Sequence, residues 1–333
     1  MLPIILFIVG LVLLIKGGDW FVDGAVGIAH RFNMPEILIG ATVVSIGTTL
    51  PEVMVSAGSA VKGIGSMAYG NALGSIICNT ALIAAITIAA KPSDVDKKSM
   101  KTPVIFFSLA VLIYVLISYL TGSFSRISGI LLLVLFFIYM FIAVKQALRI
   151  TKSSKESSEN IESKNDNEKK DDSSKESSVI KFIVLLVVGA TLIAVGADLL
   201  VDNGTIIAER LGVPSTVIAL TFVALGTSLP ELVTAITSLI KGSGALSLGN
   251  IIGANMFNLV LVMGLSVTLA PFDVPCDKLI AGINSSLVID IPVMILVSCI
   301  MIIPALIRGK MARIQGILLL AIYAGFCVFQ FVI

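Results

Sequence analysis

Two glutamates stand out because they lie deep inside long apolar segments. Glu52 closes the run GTTLPE, and Glu231 closes the run GTSLPE in a second segment. A carboxylate at the centre of a bilayer costs roughly 3 kcal/mol or more, so it persists there when it faces a cavity or a partner. The matching neighbours favour one shared, charged site. The alternative is a pair of protonated glutamates that hydrogen-bond helix to helix.

Hydroxyl groups accompany each glutamate at helical spacing. One stands three positions before each carboxylate and another stands four positions before it, so a helix presents all three groups on one face. These residues are Thr48, Thr49, Thr227 and Ser228. Ca2+ favours about six to eight oxygen ligands, both charged and neutral. The pattern therefore predicts a site for a hard cation, and the lack of His and Cys in it argues against zinc or copper.

A proline precedes each glutamate and frees backbone oxygens for the same site. Pro51 and Pro230 have no N–H, so each leaves the carbonyl four residues earlier without its helical donor. Irregular backbone at membrane depth is tolerated where protein or a water-filled cavity satisfies it. We therefore expect a break in each glutamate-bearing helix.

A second duplicated motif follows each glutamate. The run GNALGSIICN ends at Asn79, and its counterpart GNIIGANMFN ends at Asn258. The small residues allow close approach of helices. Ser75 lies four positions before Asn79, so both share a helix face. Because an unpaired amide in lipid is costly, we expect the two asparagines to face the ions.

Composition requires a membrane-embedded scaffold for these motifs. Of 333 residues, 57% are hydrophobic and 13% charged, against about 25% charged in soluble proteins. We expect an all-α membrane protein in contact with the lipid bilayer, and we expect no nucleic acid partner because no basic run with interleaved aromatics occurs. Ten segments are long enough to span a bilayer, near 2–16, 37–61, 67–90, 102–121, 126–148, 179–201, 214–240, 246–270, 285–305 and 312–333.

The chain is predicted to contain two inverted five-helix repeats, residues 1–150 and 179–333. A shift of 179 positions superposes residues 19–79 on the second half without a gap. Because five is odd, the second half inserts in the opposite orientation, which is an architecture of transporters. Residues 151–178 between the halves are almost entirely polar and are expected to be a disordered linker.

Basic residues predict the orientation. One set of alternate loops carries only Lys62, Arg126, Arg210 and Lys278. The positive-inside rule assigns the other set, including the 151–178 linker, to the cytoplasm and both termini to the outside. We expect an integral, multi-pass protein of the plasma membrane.

The two GT-x-LPE runs, each followed by GN-x-x-G-x-x-x-x-N, resemble the two alpha-repeats of the Ca2+/cation antiporter superfamily, and most of all those of prokaryotic Na+/Ca2+ exchangers. The resemblance covers essentially the whole membrane part. It implies a secondary antiporter that exchanges Na+ for Ca2+ by alternating access, with sliding first and sixth helices. It implies no enzyme activity and no cofactor, since Ca2+ and Na+ are the transported ions.

The resemblance also implies ligand positions. Four lie on the second helix, at Ser45, Thr48, Thr49 and Glu52, and two on the third, at Ser75 and Asn79. Their equivalents in the second half are Ala224, Thr227, Ser228, Glu231, Ala254 and Asn258. Ser45 and Ala224 are implied to serve through their carbonyls, the glutamates to hold Ca2+ and the flanking oxygens Na+. Ala254 replaces a common serine, and Asn258 replaces the aspartate of K+-dependent relatives, which argues against a K+ requirement.

Other functions remain as alternatives. An H+/Ca2+ antiporter is the runner-up, although the proton-coupled branch usually carries a different glutamate motif. A cation channel could use the same acidic ligands without a counter-ion. A membrane enzyme or scaffold is disfavoured because no nucleophile–base pair, phosphate loop or metal triad occurs. None of these functions requires an oligomer.

Overall fold

The computed structural model describes residues 2–92, 94–162, 172–210, 224–276, 279–280 and 282–332. In this part the chain is helical apart from two short antiparallel strand pairs. The helices are α1 Leu2–Arg31, α2 Glu36–Val61, α3 Gly65–Ala90, α4 Lys97–Thr121, α5 Arg126–Glu162, α6 Asp172–Arg210, α7 Ala224–Thr227, α8 Leu229–Ile240, α9 Gly244–Leu269, α10 Ser286–Arg308 and α11 Arg313–Val332. The strand pairs are β1 Ser123–Phe124 with β2 Phe272–Asp273, and β3 Leu279–Ile280 with β4 Ile283–Asn284.

Nine helices of the described part are long and apolar enough to cross a membrane, and α8 is a shorter apolar helix. The all-α membrane architecture is therefore confirmed. The seventh predicted segment, 214–240, is described from residue 224 onwards, where it forms α7 and α8. The first predicted helix was too short, because α1 continues through Gly17 to Arg31. Gly17 lies where α1 packs directly on α6, since a Cβ there would lie 2.8 Å from the Ile193 nitrogen.

The predicted disordered linker differs from the structure at both ends. Helix α5 continues from the membrane segment to Glu162, and α6 begins at Asp172. Residues 163–171 lie outside the described part of the chain. Lys and Glu are good helix formers, and a membrane helix supplies a nucleus that polar residues extend at low cost. The cytoplasmic location of this segment stays a prediction.

Three long helices form the interior. In α2, α3 and α9, 67%, 78% and 83% of the membrane-length window is buried, against 39% or less in each of the other six candidate spans. Helices that are apolar and buried on all sides occupy the core of a bundle. The glutamate motif of the first half and both GN motifs therefore lie in the centre of the molecule.

Helices α2 and α9 touch through their backbones. A Cβ atom at Gly40 would lie 2.4 Å from the carbonyl oxygen of Leu246, and one at Gly249 would lie 2.2 Å from that of Ile37. Small residues at such crossings allow close helix approach in membranes. These two glycines thus bring the first half's glutamate helix directly against the second half's GN helix.

Helices α1 and α6, which are equivalent in the repeat, pack antiparallel on each other. A Cβ at Gly10 would lie 2.8 Å from the Gly196 carbonyl oxygen, and one at Gly17 would lie 2.9 Å from that of Gly189. Gly10 is equivalent to Gly189, and Gly17 to Gly196. The contact therefore relates the two helices by an approximate two-fold axis.

The turns that follow the two glutamate-bearing helices share one conformation. Lys62 has φ −78° and ψ 1°, and Lys241 has φ −76° and ψ 0°. Each is followed by a glycine in the left-handed region, Gly63 at φ 80° and Gly242 at φ 79°. The duplicated sequence thus produces a duplicated helical hairpin.

Close backbone contact at Gly40 predicts a specific effect of one methyl group. We expect Gly40→Ala to lower the stability by about 1–3 kcal/mol, because α2 must move away from α9 to admit the Cβ. The measurement is thermal unfolding in detergent. Gly58→Ala, on the same helix but with nothing within 4 Å of the added Cβ, is the matched control. Equal melting temperatures for the two variants would contradict the predicted contact.

Candidate cation-binding site

Both glutamate side chains are fully buried at the centre of the molecule. Glu52 on α2 and Glu231 on α8 are each 0% exposed. Each follows directly on a proline, and the two prolines, Pro51 and Pro230, line one crevice. All four carboxylate oxygens are without a hydrogen-bond partner among the described residues. The two halves therefore contribute one unneutralised acidic group each to a shared interior.

The two glutamate-bearing helices differ at their prolines. In α2 the α-helix Ser45–Val61 runs through Pro51 without a break. In the second half, Ser228 is not helical, with φ −90° and ψ 3°, and it separates α7 from α8 two residues before Pro230. The expected break is thus present in the second half and absent in the first. A proline removes one hydrogen bond and often only kinks a helix.

Four further predicted ligands are buried with unpaired side-chain atoms. Among the described residues, the Thr49 and Ser228 hydroxyls and the amides of Asn79 and Asn258 have no hydrogen-bond partner. An unsatisfied buried polar group costs about 1–3 kcal/mol. Six side chains in this condition, counting the two carboxylates, fit a site whose bound cation supplies the missing interactions.

Two other predicted residues, Ser45 and Thr48, use their hydroxyls for hydrogen bonds within the protein. Ser45 Oγ shares its single O–H between the Gly40 carbonyl at 2.6 Å and the Asn250 carbonyl at 3.0 Å, which fixes the orientation of the side chain. Thr48 Oγ1 donates to Asn250 Oδ1 at 3.2 Å. This hydrogen bond joins the first half's glutamate helix to the second half's GN helix.

Asn71 and Asn250 are functional candidates that the sequence analysis missed. Thr227 Oγ1 donates to Asn71 Oδ1 at 3.3 Å, which is the counterpart of the Thr48–Asn250 hydrogen bond. Asn71 Nδ2 also donates to Ser56 Oγ at 2.8 Å. Each asparagine thus orients a threonine of the other half. The signal was the asparagine that opens both GN motifs.

The remaining predicted residues flank this centre. Ser75 on α3 and its equivalent Ala254 on α9 are buried, and only the serine offers a side-chain oxygen. Ala224 begins the single turn α7, and its side chain lies outside the described part. The site therefore has more side-chain oxygens in the first half than in the second.

Asn79 and Asn258 each begin a stretch of π-helix. The wider turns run over Asn79–Ala84 in α3 and Asn258–Val262 in α9. A π-bulge redirects carbonyls out of the regular ladder and is frequent at functional sites. Hydrophobic periodicity did not reveal these bulges. Asn255 Nδ2 donates to Thr80 Oγ1 at 2.7 Å and ties the two helices together beside them.

A small crevice lies between α2 and α6. Pro51 and Pro230 both line it, so equivalent positions of the two halves lie side by side. Its other walls are formed by Phe21, Gly47, Thr48, Ala190, Ile193 and Ala194. Thr48, which lines the crevice, lies one helical turn before Glu52 on α2.

The donor set is that of a hard cation. Within the described residues, no group of three or more His, Cys, Asp or Glu side chains could hold a metal ion, so only two acidic groups are offered. Two carboxylates carry the charge of one Ca2+, and hydroxyl, amide and carbonyl oxygens are its usual neutral ligands. The same neutral oxygens suit Na+.

Comparisons with known proteins agree with this chemistry. Residues 2–145 and 181–332 match the sequence profile of the family described as "Sodium/calcium exchanger protein". An uncharacterised membrane protein of Methanocaldococcus jannaschii is 35% identical over 95% of this chain and 94% of its own length. The sodium/calcium exchanger MaX1 of Methanosarcina acetivorans is 31% identical over 99% and 98%. A structure of the sodium-calcium exchanger NCX_Mj, soaked with Na+ and Sr2+, has a TM-score of 0.78 with 32% identity over 97% and 96%.

The cross-half asparagines generate a test of the site's framework. We expect Asn71→Leu to lower the stability by about 2 kcal/mol or more, because the Thr227 and Ser56 hydroxyls lose their partner in the interior. Asn203→Leu, which removes only a bond to Leu199 within α6, should cost less. Thermal unfolding of both variants in ion-free buffer makes the comparison. A smaller loss for the α3 variant than for the α6 variant would be incompatible with this framework.

Proposed function

The chain belongs to the sodium/calcium exchanger family, and on that premise we propose that it is a secondary antiporter that exchanges Na+ for Ca2+ by alternating access. One observation carries the proposal. Two fully buried carboxylates, one from each half, lack protein partners and are accompanied by unpaired hydroxyl and amide groups. Ca2+ then binds between Glu52 and Glu231, and Na+ occupies the flanking neutral oxygens.

The unpaired charges explain why exchange is obligatory. Alternating access requires the site to pass through a closed state, in which water is excluded. Two unneutralised carboxylates in that state carry a desolvation penalty of several kcal/mol each. A site loaded with cations removes most of this penalty. The protein therefore changes face with Ca2+ or with Na+ bound, and the empty carrier is blocked.

The same reasoning favours Na+ over protons as the counter-ion. Protonation also neutralises Glu52 and Glu231, but it leaves the hydroxyls of Thr49 and Ser228 and the amides of Asn79 and Asn258 unpaired. Na+ provides a partner for the oxygens of these groups as well. The proton-coupled antiporter therefore remains the second candidate.

Two contacts support the proposed inverted repeat. The antiparallel packing of α1 on α6 pairs Gly10 with Gly196 and Gly17 with Gly189. The reciprocal Thr48–Asn250 and Thr227–Asn71 hydrogen bonds follow the same exchange of halves. Such a relation gives the chain two conformers of similar energy that face opposite sides.

The protein is an integral, multi-pass membrane protein, and we propose the plasma membrane as its location. Both termini are then outside, and residues 151–178 lie in the cytoplasm. All proposed ligands come from one chain, so the mechanism needs no oligomer.

Flux through sealed vesicles tests the coupling. In Na+-loaded vesicles we expect an outward Na+ gradient to drive Ca2+ uptake, and we expect neither a pH gradient nor added K+ to replace it. Radioactive Ca2+ uptake measures the effect. Uptake driven by the pH gradient alone would support the proton-coupled antiporter, and ohmic Ca2+ current without a counter-ion would support a channel.

Neutralising either glutamate tests the shared site. We expect Glu52→Gln and Glu231→Gln each to abolish Ca2+ uptake and the Ca2+-induced rise in thermal stability, which is about 2.7 kcal/mol at a hundredfold excess over Kd. Glu36→Gln, at the start of the same helix α2 but half-buried beside His30, is the matched control and should retain both. Ca2+ uptake by either site variant would refute the paired-carboxylate mechanism.

A further inference from the structure

Lys241 ties the turn after α8 to helix α1. Its Nζ atom lies 2.8 Å from Asp23 Oδ1 and 3.6 Å from Asp19 Oδ1. It also donates a hydrogen bond to the Asp19 carbonyl at 2.8 Å. We refer to Lys241, Asp19 and Asp23 as the Lys241 cluster. It connects the second half's hairpin to the first half's outer helix.

The internal repeat supplies an equivalent set of charges. A shift of 179 positions relates Lys241 to Lys62, and relates the two aspartates to Asp198 and Asp202 on α6. The turn that carries Lys62 has the same backbone conformation as the turn that carries Lys241. We refer to Lys62, Asp198 and Asp202 as the Lys62 cluster.

Only one of the two clusters is assembled. Among the described residues, Lys62 has no carboxylate within ion-pair distance, and Asp202 acts on Asp198 as a like charge. The packing differs in the same sense. Helix α1 packs closely on α8, since a Cβ at Gly18 would lie 2.5 Å from Val233 Cγ1. The equivalent helices α6 and α2 contact each other at far fewer positions, and the crevice lies between these two helices.

We propose that the Lys241 and Lys62 clusters are alternating contacts of the transport cycle, and that their residues set the balance between its two faces. The Lys241 cluster closes α1 onto α8 in the conformer seen here. When the halves exchange conformations, it opens and the Lys62 cluster forms between the turn after α2 and helix α6. This inference rests on the proposed alternating access.

The chemistry suits such a role. The Lys241 cluster is partly exposed, and the three residues of the Lys62 cluster are exposed. An exposed ion pair shifts a two-state equilibrium by about five-fold at most. Contacts of this strength hold either conformer without preventing the change. Removing the Lys241 cluster should therefore lower the population of the conformer seen here, and removing the Lys62 cluster should raise it.

The test follows the crevice between α2 and α6. A single cysteine at Ala194→Cys, with the four native cysteines replaced by alanine, reports whether the crevice is open through its rate of reaction with a membrane-impermeant maleimide. Reactions are run in sealed vesicles at the Na+ concentration that gives half-maximal labelling. Ca2+ uptake is measured in parallel on each sample.

The two lysines should have opposite effects. We expect Lys241→Gln to slow labelling by up to about five-fold and Lys62→Gln to accelerate it, with the double variant near the parent rate. Lys241→Arg, which keeps the charge, should retain the parent rate. Lys16→Gln, an exposed lysine of α1 outside both clusters, is the matched control for loss of one charge.

The outcomes separate this inference from the proposed function. Unchanged rates in both lysine variants, or shifts in the same direction, would overturn the alternating clusters. The labelling rate does not depend on which two ions are exchanged. Absence of Na+-driven Ca2+ uptake in the parent protein would therefore reject the proposed exchange alone. Opposite shifts in labelling would still support the clusters.

Discussion

The burial of two carboxylates without protein partners is the constraint on which the rest of the structure depends. Glu52 and Glu231 are fully enclosed, and the hydroxyls of Thr49 and Ser228 and the amides of Asn79 and Asn258 are also buried without a partner among the described residues. Leaving such groups dry and charged would cost several kcal/mol each, so they must be neutralised by a proton or by a cation. The three interior helices enclose this region, and a crevice lies beside Thr48.

Glycine makes this interior possible in a membrane. Lipid tails are as apolar as leucine side chains, so helices associate by close packing and hydrogen bonds. At Gly40 and Gly249, α2 and α9 approach until their backbones touch, which brings Thr48 within hydrogen-bond distance of Asn250. A second set of glycines joins α1 to α6 at the periphery. The outer pair is therefore packed as a unit that lies against α8 and lines the crevice beside Thr48.

The sequence predicted the membrane spans and the buried positions of the duplicated motifs, because apolar length and repeated polar residues are both readable without coordinates. It did not predict which half each contact would come from. Helical spacing assigns Thr48 to a face of its own helix, whereas its partner Asn250 belongs to the other half. The π-helices at Asn79 and Asn258 could not be predicted because they leave the hydrophobic periodicity unchanged. The unbroken helix at Pro51 could not be predicted either, because its local sequence is nearly the same as that around Pro230. The polar composition of residues 151–178 predicted disorder, whereas α5 continues to Glu162 and α6 begins at Asp172. Composition alone does not show that a membrane helix can extend into a polar segment that follows it.

The differences between the halves matter as much as their likeness. Equivalent residues with identical chemistry, such as Lys62 and Lys241, make different contacts in the one conformer seen. A duplicated sequence has no intrinsic reason to favour one half over the other at these positions. Under the proposed alternating access this asymmetry belongs to the conformation, and the arrangement with the roles of the halves exchanged should have similar energy because it uses equivalent residues. Positions where the halves differ in sequence, such as Ser75 and Ala254, are then the ones that make the two faces unequal.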